Sequence, residues 1–184
     1  MNQIAVQRHS VFTQSLHWLT AILVVAAFIL GPEGSQQQIY AAANDVQRQW
    51  HETLGLSVFT LSIVRILWRV LDQRPPAAPA PRWMGLASKA VLLALYALLF
   101  AVPLTAVAGA WLQGHALTLL GGVQIPPWLS INDRLGSSLA ELHSWLADSL
   151  LVVAGVHAGA AIYHHAMLKD DVLRSMLPKW FPGL

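Results

Sequence analysis

The chain has 184 residues, of which 55% are hydrophobic and only 11% charged, with a formal net charge of +2. A soluble domain carries about 25% charged residues, so this chain has too few charges to coat a water-facing surface, and part of its solvent must be lipid. It has no cysteine, which excludes disulfides, thiolate zinc sites, iron–sulfur clusters and covalent c-type haem; its basic residues fall between apolar runs instead of clustering among aromatics, which argues against nucleic-acid binding.

The first apolar segment covers about residues 11–31, richest from Ser15 to Gly31. Arg8 and the small residues Ala41 to Ala43 give it a superficial likeness to a cleaved signal peptide. Those small residues lie about ten positions beyond the apolar run, past Pro32, Glu33 and three Gln, so a retained helix is expected. Further apolar segments cover about 51–71, 85–111 and 138–168. Each approaches or exceeds the roughly 20 residues that cross a hydrocarbon core. The expectation is an all-α, integral membrane four-helix bundle, a single domain over residues 1–184.

The basic residues orient it. Arg8, Arg65, Arg69, Arg74, Arg82, Lys89, Lys169, Arg174 and Lys179 belong to the termini and the connection between the second and third helices; Arg48 and Arg134 alone belong to the other two connections. The positive-inside rule then puts both termini in the cytoplasm. The stretch from Arg74 to Arg82 is proline-rich and reads as a stiff spacer. Trp18, Trp50, Trp68, Trp83, Trp111 and Trp145 mostly flank helix ends, as interface anchors do.

The eight histidines carry the chemistry. By depth, His17 lies near the cytoplasmic end of the first helix and His51 at the outer end of the second; His143 lies at the outer end of the fourth, with His157 further in. Fourteen residues separate His143 from His157. At 100° per residue both leave one helix face, roughly 21 Å apart along the axis. That suits two stacked haems: His51 with His143 at an outer site, His17 with His157 at an inner one. Paired histidines from facing helices hold b-type haem and fill both axial positions. A lone intramembrane His is more often a hydrogen-bonding partner between helices, but four at two matched depths each need a partner in lipid, and two irons would satisfy them. Gly55, one turn beyond His51, and Ala158 to Ala161 after His157 leave room for a flat macrocycle.

Arg65 falls fourteen residues after His51. Two readings stand: it meets a haem propionate, or it reaches out to headgroups with Arg69. His164, seven residues after His157, shares its face within about 20°. It is a candidate to hydrogen-bond a quinone carbonyl and carry its proton, or an interfacial His against lipid phosphate. Lys169 is a weaker candidate beside it. His9 and His115 read as solvated, and His165 as pointing away. A proton or metal transporter built on these histidines is the rival from another class; it would pair them with carboxylates at mid-membrane, where only Asp148 is present.

Ser15-Leu16-His17-Trp18, Trp50-His51-Glu52-Thr53-Leu54-Gly55 and Val64-Arg65-Ile66-Leu67-Trp68-Arg69 resemble the bacterial cytochrome b561 family. So do Tyr96 to Leu104, Leu142-His143, Val156-His157-Ala158 and His164-His165, and the likeness runs from about Arg8 to Pro178. The resemblance implies a bacterial inner-membrane protein with two non-covalent haems b that exchanges electrons with the quinone pool. It further implies superoxide oxidase activity: superoxide on the periplasmic side gives an electron, and ubiquinone is reduced. Related cytochromes serve instead as haem-bearing anchors for a soluble dehydrogenase or hydrogenase, and this chain's shortness leans to the stand-alone type. Two departures are visible. Leu92 stands where relatives often carry a His, with Lys89 nearby. The outward segments carry Glu33, Asp45, Glu52, Asp133 and Glu141 against Arg48 and Arg134, a balance that would slow an incoming anion.

Overall fold

The computed structural model describes residues 8–32, 34–72, 81–178 and 181. The proline-rich spacer with Arg74, and Lys179 and Glu33, lie outside the described residues.

In chain order the elements are α1 (Val11–Ile29), the short α2 (Gln36–Ile39) and a 3-10 turn (Ala42–Asn44). Then come α3 (Asp45–Leu71) and α4 (Arg82–Leu112), followed by a two-stranded hairpin of β1 (Leu117–Thr118) and β2 (Gln124–Ile125). The chain continues as α5 (Asp133–Tyr163), a π turn (His164–Leu168) and the short α6 (Val172–Ser175). Four helices, α1, α3, α4 and α5, are long and apolar enough to cross a membrane. This is the all-α bundle expected, and the hairpin is its one small departure among the described residues.

The helices start earlier than apolar runs alone indicate. Asp45 lies in the first turn of α3, where the helix dipole favours a carboxylate. Arg48 bridges it at 2.6 Å and Glu52 at 3.1 Å, one turn to each side. Those polar turns are helical without being hydrophobic. Likewise Asn132 caps α5, its side-chain oxygen accepting from the Leu135 N–H at 3.1 Å.

α1 packs chiefly on α3 and α4 on α5, with a lighter α3–α4 contact. Val58, Leu99 and Leu150 form the buried centre, with Leu23, Val24, Leu95, Leu98 and Val102 against it. Large apolar side chains such as Val70, Leu93 and Val152 face outward, where lipid is the solvent. Small hydroxyls inside the helices bond their own backbone: Thr20 to the Leu16 carbonyl at 2.6 Å, Ser62 to that of Val58 at 2.7 Å.

α4 meets α5 backbone to backbone at Gly109 and Gly136. A Cβ on Gly136 would stand 2.6 Å from Gln113 Cγ and 3.1 Å from the Gly109 carbonyl oxygen. Close helix approach in lipid uses such small residues. Gly136→Ala is therefore expected to destabilise the protein by about 1–3 kcal/mol, read as a lower melting temperature in detergent. An unchanged melt would mean the two helices part there at no cost.

The start of α1, the end of α3 and the segment after α5 meet at one end of the bundle, here the terminal end. The Asp72 carboxylate accepts from Thr13 Oγ1 at 2.5 Å and Ser10 Oγ at 3.2 Å, joining the end of α3 to the start of α1. The His9 N–H donates to the Ser175 carbonyl at 3.0 Å, and Trp18 Nε1 to that of Met176 at 2.9 Å. At the opposite, hairpin end, Glu52 accepts from the Thr118 N–H. Leu120 N–H donates to Thr53 Oγ1 at 2.9 Å, so the β-hairpin is clipped onto α3.

Candidate cofactor site

Four histidines from three helices face one another in two pairs. At the terminal end His17 of α1 and His157 of α5 have ring centroids 6.2 Å apart with planes at 74°. At the hairpin end His51 of α3 and His143 of α5 are 6.0 Å apart at 85°. A metal gripped between two imidazoles stands about 2 Å from each ring nitrogen, which sets the centroids roughly 6 Å apart. Both pairs fit that spacing.

The backbone fixes two of the rings. His51 Nδ1 donates to the Ala27 carbonyl at 2.8 Å, and His143 Nδ1 to that of Val102 at 2.9 Å. A carbonyl only accepts, so the proton is on Nδ1 and Nε2 keeps its lone pair for a metal. His17 differs: a guanidinium only donates, and Arg65 Nη2 reaches His17 Nδ1 at 3.1 Å. That contact brings Arg65 to the His17–His157 pair. Its guanidinium also lies 5.7 Å from the centre of the Tyr96 ring, and that of Arg69 lies 5.5 Å from it.

Among the described residues no group of three or more His, Cys, Asp or Glu is placed to hold a metal ion. Each pair offers two donors only, so the cofactor itself must fill the remaining positions, as the four nitrogens of a porphyrin do. Beside Gly55 there is room for one: a Cβ there would meet nothing within 4 Å. By spacing both pairs fit a haem; the hairpin-end pair also has the ligating tautomer, while His17 would have to exchange the Arg65 contact for a proton on Nδ1 before Nε2 could ligate iron.

His164 lies in the π turn after α5, half-buried, and its Nδ1 donates to Asp170 Oδ2 at 2.5 Å. Sequence reasoning missed Asp170. A helix brings together residues three or four apart, and six apart meet here only because Lys169 turns left-handed at φ 54°.

His9 and His115 do not stand as the solvated residues expected: both are half-buried. His115 stacks on Tyr40, ring centroids 3.5 Å apart and 14° from parallel; β1, just after His115, packs on α3, which begins a few residues after Tyr40. The Arg48 guanidinium lies 5.2 Å from the Tyr40 ring centre. Burial, then the nearby Glu52 charge, pushes the Tyr40 phenol up to about 12. Burial, then Arg48, holds the His115 imidazole below its ordinary 6.5. The unfolded loop then binds a proton more readily than the folded one, so this contribution to stability is present above about pH 6.5 and is lost as pH falls through the lowered value. Hydrogen-exchange protection over residues 113–125, corrected for the intrinsic rate at each pH, is expected to fall in that window. Equal protection at pH 7.5 and pH 5 would refute the assignment.

The prokaryotic cytochrome b561 family model matches residues 8–179. The chain is 32% identical to cytochrome b561 homolog 2 of Escherichia coli strain K12, over 94% of this chain and 93% of that one. It is 30% identical to a probable superoxide oxidase CybB of Yersinia pestis, over 94% and 97% of the two chains. With cytochrome b561 homolog 1 of E. coli the identity is 26%, over 89% and 93%. Four apolar helices, the paired histidines and a match over nearly the whole length lead to one conclusion: the chain belongs to the prokaryotic cytochrome b561 family, bacterial multi-pass membrane proteins that carry b-type haem in electron transfer.

Proposed function

We propose that this chain is a diheme cytochrome b of the bacterial inner membrane that takes electrons from superoxide at the periplasmic side and delivers them to ubiquinone. The observation that carries the proposal is the placement of two metal-spaced histidine pairs at opposite ends of one bundle. Haem b, when bound at each pair, supplies reversible one-electron transfer. A haem held by two imidazoles would have no open position for oxygen, which would suit relay and not oxygen binding. His51 and His143, held by backbone carbonyls, keep their donor nitrogens aimed inward without reorganisation. Leu99, Leu150 and Val58 fill the bundle between the pairs with apolar, low-dielectric packing. His164, beyond His157 at the terminal end, is the residue to bond a quinone oxygen and pass it a proton.

The orientation rests on charge. Among the described residues Arg8, Arg65, Arg69, Arg82, Lys89, Lys169 and Arg174 belong to the terminal half of the bundle, against Arg48 and Arg134 towards the hairpin. That imbalance supports a cytoplasmic terminal end. The Yersinia relative's name supports superoxide as donor.

One feature favours a second reading. Asp45, Glu52, Asp133 and Glu141 outnumber Arg48 and Arg134 near the hairpin end, and Arg48 is already paired to two of those acids. Such a face repels an anion and suits a redox protein with a basic docking surface, which would make the chain the membrane relay of a soluble dehydrogenase or hydrogenase.

The test is a dithionite-reduced minus oxidised spectrum with a haem count, followed by stopped flow with superoxide and ubiquinone. Two haems per chain, reduced by superoxide and reoxidised by quinone, are expected. Because like charges meet, the superoxide rate should rise with salt. Haems that superoxide leaves oxidised would move the partner-protein reading forward, and folded protein without haem would sink both.

A further inference from the structure

Beyond Tyr163 the backbone of α5 does three things in succession. It widens into a π turn over His164–Leu168, turns left-handed at Lys169, and folds Asp170 back beneath His164. Lys169 is the one non-glycine residue with positive φ among those described, and a lysine held there is strained. The strain places a carboxylate against an imidazole. His164 Nδ1 donates to Asp170 Oδ2 at 2.5 Å, while Asp170 Oδ1 accepts from the Val172 N–H at 3.1 Å. The Asp170 N–H in turn donates to the His164 carbonyl at 3.3 Å. Both side chains are largely withdrawn from solvent, 19% and 24% exposed.

We infer that Asp170 is a positioning residue for proton delivery to quinone by His164. The inference rests on the proposed quinone reduction. With Nδ1–H committed to Asp170, the ring takes up and hands over its second proton at Nε2 alone. The carboxylate balances the imidazolium while that proton is present. Reduction of a quinone needs two electrons and two protons. The electrons arrive singly by way of the His17–His157 site; each proton leaves Nε2 for a quinone oxygen and is replaced from water, the Nδ1–H···Oδ2 bond persisting throughout. A carboxylate behind a proton-carrying imidazole fixes tautomer and orientation, a division of labour that recurs in acid–base catalysis.

The plain structural alternative is that Asp170 merely caps the start of α6. Asp170→Asn separates the two, because an Asn oxygen caps as well as an Asp oxygen but cannot balance the imidazolium. The experiment follows haem reoxidation by a short-chain ubiquinone in purified, haem-loaded wild type, D170N, D170E, H164Q and H164Q/D170N, with the solvent isotope effect. D170N should keep the wild-type haem content and KM for quinone while kcat falls at least about tenfold and its isotope effect grows. D170E should recover part of the rate. The double variant should be no slower than H164Q, as for two groups acting as one unit. Wild-type kcat in D170N overturns the inference and leaves the quinone reading intact. If D170N does not take up haem, H164Q decides, and wild-type reoxidation there also overturns it. Wild-type protein whose haems quinone fails to reoxidise sinks both.

Discussion

Replacing His143 with Ala is expected to remove the six-coordinate, low-spin signature of one haem and leave that of the other. Each proposed site has two protein donors and no third among the described residues. Loss of one imidazole therefore halves its protein ligation and also breaks the 2.9 Å bond that ties α5 to the Val102 carbonyl. His157→Ala should produce the complementary protein, with the terminal-end haem lost or five-coordinate and the hairpin-end haem unaltered. Haem counts, with low-temperature electron paramagnetic resonance to separate the two centres, provide the measurement. Added imidazole should partly restore the low-spin signal in each variant. Two intact low-spin haems in either variant would mean that the facing pairs are not the ligands.

Arg65 should set the potential of one haem and not the other. Its guanidinium stands 3.1 Å from His17 Nδ1 inside the bundle, whereas the rings of the other pair face neutral carbonyls. A fixed positive charge favours the reduced, less positive iron. Across roughly 8 Å at an effective dielectric near 20 the attraction is about 2 kcal/mol, on the order of 50–100 mV for one electron. Arg65→Leu should lower the midpoint of the terminal-end haem by that order and leave the other within error in a potentiometric titration. On the proposed ligation the same charge would make the terminal-end haem of the wild type the better electron acceptor and favour flow from the hairpin end inward. Equal shifts at both haems, or none, would show that the Arg65 charge is not felt selectively.

Much of this was legible in the residues, for physical reasons. Lipid removes the ambiguity of short apolar runs, so four spans followed from length alone. The 3.6-residue turn converts the interval from His143 to His157 into a shared face, and the depths of His17 and His51 then fall opposite them. What was not legible depends on contacts that no interval encodes. The Ala27 and Val102 carbonyls that orient two of the rings are backbone atoms with no residue signature. Asp45 and Arg48 extend α3 with a polar turn that hydropathy reads as loop. His115 reads as solvated in the sequence because the turn at Gly121 and Gly122, both at positive φ, gives no hint that it folds over Tyr40. Asp170 reaches His164 only through a left-handed lysine, a conformation that lysine as a residue type argues against.

The pairing of helices has a consequence for how the protein is put together. α1 with α3, and α4 with α5, form two well-packed hairpins. His17 and His51 belong to the first, while His143 and His157 both belong to the second. Each haem on the proposed ligation is thus a clasp across the seam between two halves, one near either membrane face. Insertion into the bilayer can complete each half without cofactor; the shared core aligns them, and the two clasps would lock that alignment. Haem supply, and not helix insertion, would then be the step that commits the chain to its final shape, and a pool of inserted, haem-free chains would be the form on which a cell's quality control acts.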